Sequence, residues 1–252
     1  MTSDAELAVA LAQGAGAVLL GLRRPDGAVS GADGDRLANE YLLAELATHR
    51  PGDAVLSEEA KDDPSRLGAD RVWIVDPLDG TREYAERTGE TWRTDFAVHV
   101  ALWQRDTGLV AGAVALPARQ RVFGTDPAEP LPPLRRGGPL RLAVSRSRPP
   151  VLVQRLGELL PVELVGMGSA GVKTMAVVTG EVDAYLHGGG QFEWDSAAPV
   201  AVAAAAGLHT SRLDGSPLCY NRPDPWLPDL MVCRTEHAPR LLAAVAQLEG
   251  GS

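Results

Sequence analysis

The sequence is poor in the residues that build disulfide frameworks and zinc sites. Its 252 residues include two cysteines, Cys219 and Cys233, and five histidines. The two cysteines do not have the spacing of metal-binding cysteines, and no cluster of histidine and cysteine accompanies them. We therefore expect plain thiols in a reducing, cytoplasmic compartment, with Cys233 in a core strand, and no zinc centre.

Long apolar runs and an excess of basic residues are also absent. No apolar run reaches the ~18–20 residues of a membrane span, and the start of the chain lacks the basic flank of a signal peptide. The formal net charge of −9 argues against a nucleic-acid surface. There is no Walker-type phosphate loop and no dinucleotide fingerprint. We expect no membrane and no nucleic-acid partner. A small anionic substrate stays open, because bound divalent cations would reverse the local field.

The most informative feature that is present is the run Asp-Pro-Leu-Asp-Gly-Thr at residues 76–81. It follows the apolar run Val72–Val75, which predicts a buried strand. Asp76 and Asp79 then stand on what the proline and glycine predict to be a sharp turn. Carboxylates at the end of a strand, next to a helix start, can hold a hard cation beside a phosphate. The alternative is an ordinary Asp-Pro and Asp-Gly turn that binds nothing.

Two further carboxylates lie at the ends of other predicted elements. Glu58 follows the strand-like residues 54–57, and Asp195 opens an alanine-rich stretch that predicts a buried helix through Ala206. A charge at an element end is usually a cap or a surface residue. Several such ends meeting at one crevice would instead form a site of oxygen donors alone, which favours Mg²⁺.

The predicted elements divide the chain into two halves. Residues 1–125 combine two helices with a run of strands and predict an α+β domain. Residues 126–139 hold five prolines and two glycines and predict a linker. Residues 140–252 alternate strand and helix patterns and predict an α/β domain with helices packed on a sheet. The candidate ligands are shared between the halves, and such a junction is the default place for a small-molecule pocket.

In order along the chain, these motifs resemble the inositol monophosphatase superfamily of Mg²⁺-dependent, lithium-sensitive phosphatases. Within it the chain looks most like the 3′(2′),5′-bisphosphate nucleotidases of sulfate assimilation. The resemblance implies a layered α-β-α-β-α sandwich with the metal site between its halves. It covers residues 34–221 and rests on five motifs: Ser57-Glu58-Glu59, the 76–81 run, Gly168-Ser169, Gly180–Tyr185 and Trp194–Ala198.

The resemblance also implies which residues hold two or three Mg²⁺ ions. Glu58, Asp76 and the main-chain oxygen of Leu78 would hold one ion. Asp76, Asp79 and Asp195 would hold the second. Glu58, with water, would hold a third. Asp195 also counts among the substrate contacts.

Roles in catalysis follow from the same resemblance. Main-chain N–H groups of Gly80 and Thr81 would cradle the scissile phosphate, and the Thr81 hydroxyl would orient the attacking water. Asp35 matches the family carboxylate that helps to polarise this water, although the preceding Ser30–Asp33 departs from the usual lead-in. Taken by itself, Asp35 equally predicts the N-cap of the second helix. Glu58 completes the predicted catalytic set. The water would attack phosphorus directly, without a covalent nucleophile.

Four more residues are predicted to contact the substrate, namely Ser147, Arg148, Ser169 and Lys173. Lys173 falls where bisphosphate nucleotidases resemble one another in carrying a lysine. Without the resemblance, a lysine in the first turn of a helix predicts a solvated side chain. Arg148 offers a planar fork that can bind two oxygens of a second phosphate.

The resemblance therefore implies a cytosolic Mg²⁺-dependent phosphatase that converts 3′-phosphoadenosine 5′-phosphate to AMP. One alternative is inositol monophosphatase or fructose 1,6-bisphosphatase activity on the same scaffold. Another is a non-catalytic protein that binds Mg²⁺ and phosphate, and a third is a purely structural role for the aspartate turns. A homodimer is left open.

Overall fold

The computed structural model describes residues 2–23, 29–146 and 150–250. This part of the chain contains seven α-helices and fourteen strands. The helices are α1 (Asp4–Leu22), α2 (Gly31–His49), α3 (Thr81–Ala85), α4 (Val151–Leu159), α5 (Ala170–Val178), α6 (Glu193–Ala205) and α7 (Ala238–Gly250). The strands are β1 (Ala54–Ser57), β2 (Arg71–Asp79), β3 (Arg87–Thr88), β4 (Thr91–Trp92), β5 (Ala97–Gln104), β6 (Gly108–Leu116), β7 (Arg121–Gly124), β8 (Leu140–Ser145), β9 (Val162–Met167), β10 (Ala184–His187), β11 (Gln191–Phe192), β12 (His209–Ser211), β13 (Trp226–Leu227) and β14 (Leu230–Cys233).

Two five-stranded sheets form the framework. The first has the order β1-β2-β5-β6-β7; β1 runs parallel to β2, and the remaining pairs are antiparallel. The second has the order β12-β14-β10-β8-β9. In it β8 runs parallel to β9 and β10, while β14 is antiparallel to both of its neighbours. Two further pairs, β3–β4 and β11–β13, form two-stranded sheets.

The helices and sheets stack in five layers. Helices α1 and α2 cover one face of the first sheet, in a core that includes Leu42 and Trp73. Helices α5 and α6 lie between the sheets, in a core that joins Ile74 to Val232. Helices α4 and α7 cover the outer face of the second sheet around Leu241. Each helix buries an apolar face on a sheet. The predicted α-β-α-β-α sandwich is therefore confirmed.

The starts of the first two helices follow from local capping. At α1, Ser3 and Glu6 form a capping box, in which each side chain bonds the other residue's main-chain N–H. Helix α2 begins earlier than predicted, because the Ser30 hydroxyl accepts a hydrogen bond from the Asp33 N–H and acts as the N-cap. The prediction that Asp35 caps this helix is therefore wrong. Asp35 is a buried residue inside α2.

Helix α1 is long and apolar enough to cross a membrane, judged by its length and composition; it is the one described helix that is. The sequence contains no uninterrupted apolar run of that length, since Asp4, Glu6 and Gln13 stand among the apolar residues of this helix. In the fold, seven residues of α1 are buried in the core beneath the first sheet. A core helix and a membrane helix share this composition, so composition alone does not separate them.

Between the two sheets, residues 129–139 contain neither helix nor strand. This stretch is nevertheless attached to the second sheet. Pro132 O accepts a hydrogen bond from Arg234, and Arg135 pairs with Asp183. The predicted division into domains at this linker stays a prediction.

Candidate metal and phosphate site

A bulge in β2 places two carboxylates on one face of the first sheet. Asp76 pairs with His99 of β5, whereas Asp79 pairs with Ala97, so three steps along β2 oppose two steps along β5. The extra residue turns Leu78 toward the core on the opposite face. Asp76 and Asp79 therefore both face the space between the sheets. The predicted turn at these residues is wrong, because all of 76–79 belongs to β2.

The turn begins at Gly80, the N-cap of α3. Its φ of +91° lies in the left-handed region. A Cβ there would approach Asp95 O to 3.2 Å and Phe96 Cα to 3.3 Å, so glycine is required by both conformation and space. The chain can thus turn sharply from the bulge into α3 and bring Thr81 beside the two aspartates.

Asp195 joins these carboxylates from the other side of the crevice. It lies in the first turn of α6, where its Oδ2 accepts a hydrogen bond of 2.7 Å from the Phe192 N–H. One carboxylate oxygen from each of Asp76, Asp79 and Asp195 lies within 4.8 Å of the others. The three carboxylates therefore converge as predicted, which a purely structural role of the aspartate turns would not require.

Burial and mutual repulsion make these carboxylates hard to ionise together. Burial raises the pKa of Asp76 well above its ordinary value, and the charges of Glu58 and Asp79 raise it further. Burial and Asp79 raise the pKa of Asp195 to about 7. Asp79 is also buried, but His99 and Lys173 hold its pKa below the ordinary value. Crowded buried carboxylates of this kind are a fitting site for a divalent cation, which would supply the missing positive charge.

Glu58 and Leu78 lie at the rim of this cluster. Glu58 is an exposed residue, yet desolvation of its carboxyl group and the charges of Asp35 and Asp79 raise its pKa to about 7. It lies outside the group of three oxygens but contacts Asp76. The Leu78 carbonyl accepts a hydrogen bond of 3.2 Å from the Thr81 hydroxyl. Both predicted ligands are therefore next to the aspartates.

Asp35 and Thr81 form a second polar pair. Burial and the charge of Glu59 raise the pKa of Asp35 to about 7, although the nearby Thr81 side chain acts to lower it. Asp35 Oδ1 is buried and has no hydrogen-bond partner among the described residues. A buried oxygen without a hydrogen-bond partner destabilises the folded protein. Here the oxygen belongs to a carboxyl group whose pKa is about 7. The chemistry of this pair suits proton transfer.

Ser169 and Lys173 approach the site from α5. Ser169 is the N-cap of this helix, and its hydroxyl donates to Asp79 Oδ2, which also accepts a bond of 2.7 Å from the Gly171 N–H. Lys173 is only 7% exposed, so the expectation of a solvated lysine is wrong. Its Nζ lies 5.2 Å from the centre of the Tyr185 ring and has no hydrogen bond or ion pair with any described residue. Burial lowers the pKa of Lys173, although the charge of Asp79 acts to raise it.

The predicted contacts Ser147 and Arg148 lie outside the described residues. The preceding Arg146 is engaged elsewhere, since it pairs with both Glu83 and Glu86 of the α3 region.

His99 was missed by the sequence analysis, which assigned no role to any histidine. It is fully buried between the candidate metal ligands and α6, and its ring lies within 4 Å of Asp76 and Asp79. The available signal was its place in the middle of an apolar strand. A titratable residue at such a position needs a partner.

Comparisons with known proteins agree with this geometry. The model of the inositol monophosphatase family matches residues 1–131 and 135–249. A 3′-phosphoadenosine 5′-phosphate phosphatase of Mycobacterium leprae is 54% identical over 261 residues, which cover 98% of this chain and 94% of the relative. The 3′(2′),5′-bisphosphate nucleotidase CysQ of Escherichia coli is 32% identical over 203 residues, 74% of this chain and 77% of the relative.

A solved structure extends the agreement to the fold. The crystal structure of CysQ from Bacteroides thetaiotaomicron, a bacterial member of the inositol monophosphatase family, superimposes with a TM-score of 0.77. Its sequence is 28% identical, and the match covers 93% of this chain and 98% of that one. The family model, the relatives and the fold lead to one conclusion: the chain belongs to the inositol monophosphatase family.

Proposed function

We propose that this protein is a Mg²⁺-dependent phosphatase that removes the 3′-phosphate of 3′-phosphoadenosine 5′-phosphate and releases AMP. The observation that carries the proposal is the meeting of Asp76, Asp79 and Asp195 within 4.8 Å in a buried crevice. The names of the relatives at 54% and 32% identity support the substrate. A cytoplasmic location, a place in sulfate assimilation and sensitivity to Li⁺ are parts of the same proposal.

The cations would be held by oxygen donors only. Asp76 and Asp79 would bind from the β2 bulge and Asp195 from α6, with Glu58 and the Leu78 carbonyl beside them. When bound, Mg²⁺ would activate water and neutralise the charge of the phosphate. Mg²⁺ suits the site because it accepts a few carboxylates and completes its coordination with water and substrate oxygens.

Asp35 and Thr81 would handle the proton of the attacking water. Thr81 lies close enough to Asp35 to influence its carboxyl group, and Asp35 Oδ1 is buried without a hydrogen-bond partner among the described residues. A general base is most effective when its pKa lies near the working pH, and that of Asp35 is raised by burial to about 7. The main-chain N–H groups of Gly80 and Thr81 would bind the scissile phosphate.

Lys173 would bind the phosphate that is not cleaved, together with Arg148. The lysine is buried and makes no direct ion pair with a described residue, although the charges of Asp79 and Glu83 favour its protonated form. A second phosphate would supply a direct ion-pair partner. A charge-assisted hydrogen bond of this kind contributes roughly 1.5–3 kcal/mol, a tenfold to hundredfold effect on binding. Ser169 would act indirectly, because its hydroxyl is bonded to Asp79.

The decisive assay measures phosphate release from 3′-phosphoadenosine 5′-phosphate, inositol 1-phosphate and fructose 1,6-bisphosphate. We expect the first to have the highest kcat/KM. A preference for either of the others would assign the alternative activity on the same scaffold. Binding of Mg²⁺ and phosphate without any release would instead support the non-catalytic alternative.

A lysine variant tests the second-phosphate contact separately. Lys173→Met retains the apolar length of the side chain beside Tyr185 and removes the charge. It should weaken catalysis on 3′-phosphoadenosine 5′-phosphate roughly tenfold to hundredfold and leave catalysis on adenosine 3′-phosphate nearly unchanged. The exposed Lys61 provides the matched control, since Lys61→Met removes the same charge from the surface. Equal losses on both substrates would show that Lys173 is structural.

A further inference from the structure

His99 occupies a position that packing alone would fill with an apolar residue. It lies in the middle of β5, between Ala97 and Ala101 on the face that meets α5 and α6. Its side chain is 0% exposed. It is also the direct cross-strand partner of Asp76, so the imidazole lies beneath the carboxylate cluster.

One ring nitrogen of His99 contacts the helix that carries Asp195. Nδ1 lies 3.1 Å from the main-chain oxygen of Trp194, the residue before Asp195. A carbonyl oxygen can only accept, so Nδ1 carries the hydrogen and donates it. This bond attaches the first turn of α6 to the centre of β5. Asp195 is further oriented by its own bond to the Phe192 N–H.

The other ring nitrogen lies against the second side of the cluster. Nε2 is 3.3 Å from Asp79 Oδ2 but does not meet it in hydrogen-bond geometry, and it has no hydrogen-bond partner among the described residues. Space around it is tight: a Cβ on Gly171 would lie 2.2 Å from Nε2. The Gly171 N–H in turn donates to Asp79. The imidazole therefore fills the gap between Asp79, α5 and α6.

We propose that His99 is a positioning residue of the metal site, which fixes the distance between Asp195 on α6 and the aspartates of the β2 bulge. It touches neither substrate nor reacting atoms in this role. It acts through two contacts. The bond to the Trp194 carbonyl holds α6 in place, and the contact with Asp79 limits the movement of that carboxylate away from the metal site. Partners that orient metal ligands typically change metal affinity 10–100-fold when they are mutated.

The inference rests on the proposed function, since it assumes that the carboxylates bind Mg²⁺. Three variants separate the two ring contacts. His99→Asn places an amide N–H near the position of Nδ1 and can restore the bond to Trp194. His99→Gln reaches the position of Nε2 instead, and His99→Leu removes both contacts at similar volume. Val100→Ala, a buried truncation on the other face of β5, is the control for lost packing.

Isothermal titration of the metal-free proteins with Mg²⁺ alone gives the main readout, and substrate kinetics as a function of Mg²⁺ give the second. His99→Leu and His99→Gln should raise the Kd for Mg²⁺ roughly tenfold or more, while His99→Asn stays closer to the unmodified protein. The half-saturating Mg²⁺ concentration should rise in parallel, with KM for substrate and kcat at saturating Mg²⁺ little changed. Val100→Ala should lower thermal stability without altering the Kd.

Two results would overturn the inference. If His99→Leu folds and binds Mg²⁺ as tightly as the unmodified protein, His99 is a core residue only. If His99→Leu fails to fold, His99→Gln decides: a folded Gln variant that binds Mg²⁺ as tightly as the unmodified protein would show that the Trp194 bond does not position the site. Failure of the unmodified protein to bind Mg²⁺ would instead refute the proposed function, and the two failures are therefore distinguishable.

Discussion

The crowded carboxylates predict that the metal-free protein loses stability as the pH rises from about 4 to about 7. Burial and Asp79 raise the pKa of Asp195 to about 7 in the folded state, against 3.8 for an ordinary aspartate. Between these two values the folded protein keeps a proton that the unfolded chain has released. Raising the pH therefore favours the unfolded chain until the carboxyl group of the folded protein also ionises. Above that pH this group no longer changes the free energy of unfolding.

The magnitude follows from the two pKa values. One pKa unit corresponds to about 1.4 kcal/mol. A single carboxyl with a folded pKa near 7 and an unfolded pKa near 4 should lower the free energy of unfolding by about 2 kcal/mol between about pH 5.5 and about pH 8. The pKa of Glu58 is also raised to about 7, chiefly by desolvation, and burial raises that of Asp76 well above its ordinary value. The total loss should thus exceed the value for Asp195 alone.

The assay is urea unfolding of metal-free protein at a series of pH values, compared with Asp195→Asn. Over the same pH interval, the free energy of unfolding of the variant should fall by at least about 2 kcal/mol less than that of the unmodified protein. Burial lowers the pKa of His187, but this residue is present in both proteins, so its contribution cancels in the comparison. Glu158→Gln, at an exposed position, is the matched control and should not change the slope. Saturating Mg²⁺ should abolish or reverse the trend, because it binds the deprotonated carboxylates. Equal slopes for the unmodified protein and Asp195→Asn would refute the reasoning.

Three further substitutions test other parts of the structure. Asp76→Asn should nearly abolish phosphate release while the metal-free protein melts at the same temperature or higher, because one of several crowded charges is removed; near-normal activity at saturating Mg²⁺ would contradict the assignment. Gly171→Ala places a Cβ 2.2 Å from His99 Nε2 and should cost about 1–3 kcal/mol in urea unfolding; no loss would mean that the imidazole moves aside. Arg66 is 1% exposed and donates to Asn221 Oδ1 and to the Arg222 carbonyl, so Arg66→Ala should lower the free energy of unfolding by about 3 kcal/mol by leaving these acceptors unpaired, and a loss well under this value would show that solvent replaces the arginine.

Several features of this protein were determined by the sequence alone. Apolar runs and caps predicted most helices and strands, because helix and strand periods are local properties of the chain. The carboxylates of the site could be identified as well, since Glu58, Asp76, Asp79 and Asp195 each stand at the end of a predicted element. Their order along the chain identified the family, and the five-layer sandwich followed from that resemblance.

Other features were decided by the tertiary structure. The β2 bulge depends on pairing with β5, so the sequence predicted a turn where a strand continues. The burial of Lys173 depends on which face of α5 meets the second sheet, and a nine-residue helix buried on all sides leaves no local pattern to show it. His99 acquires its contacts only when α6, distant in sequence, packs on β5. Such contacts join residues far apart in the chain, and local preferences carry no information about which distant partner a side chain will meet.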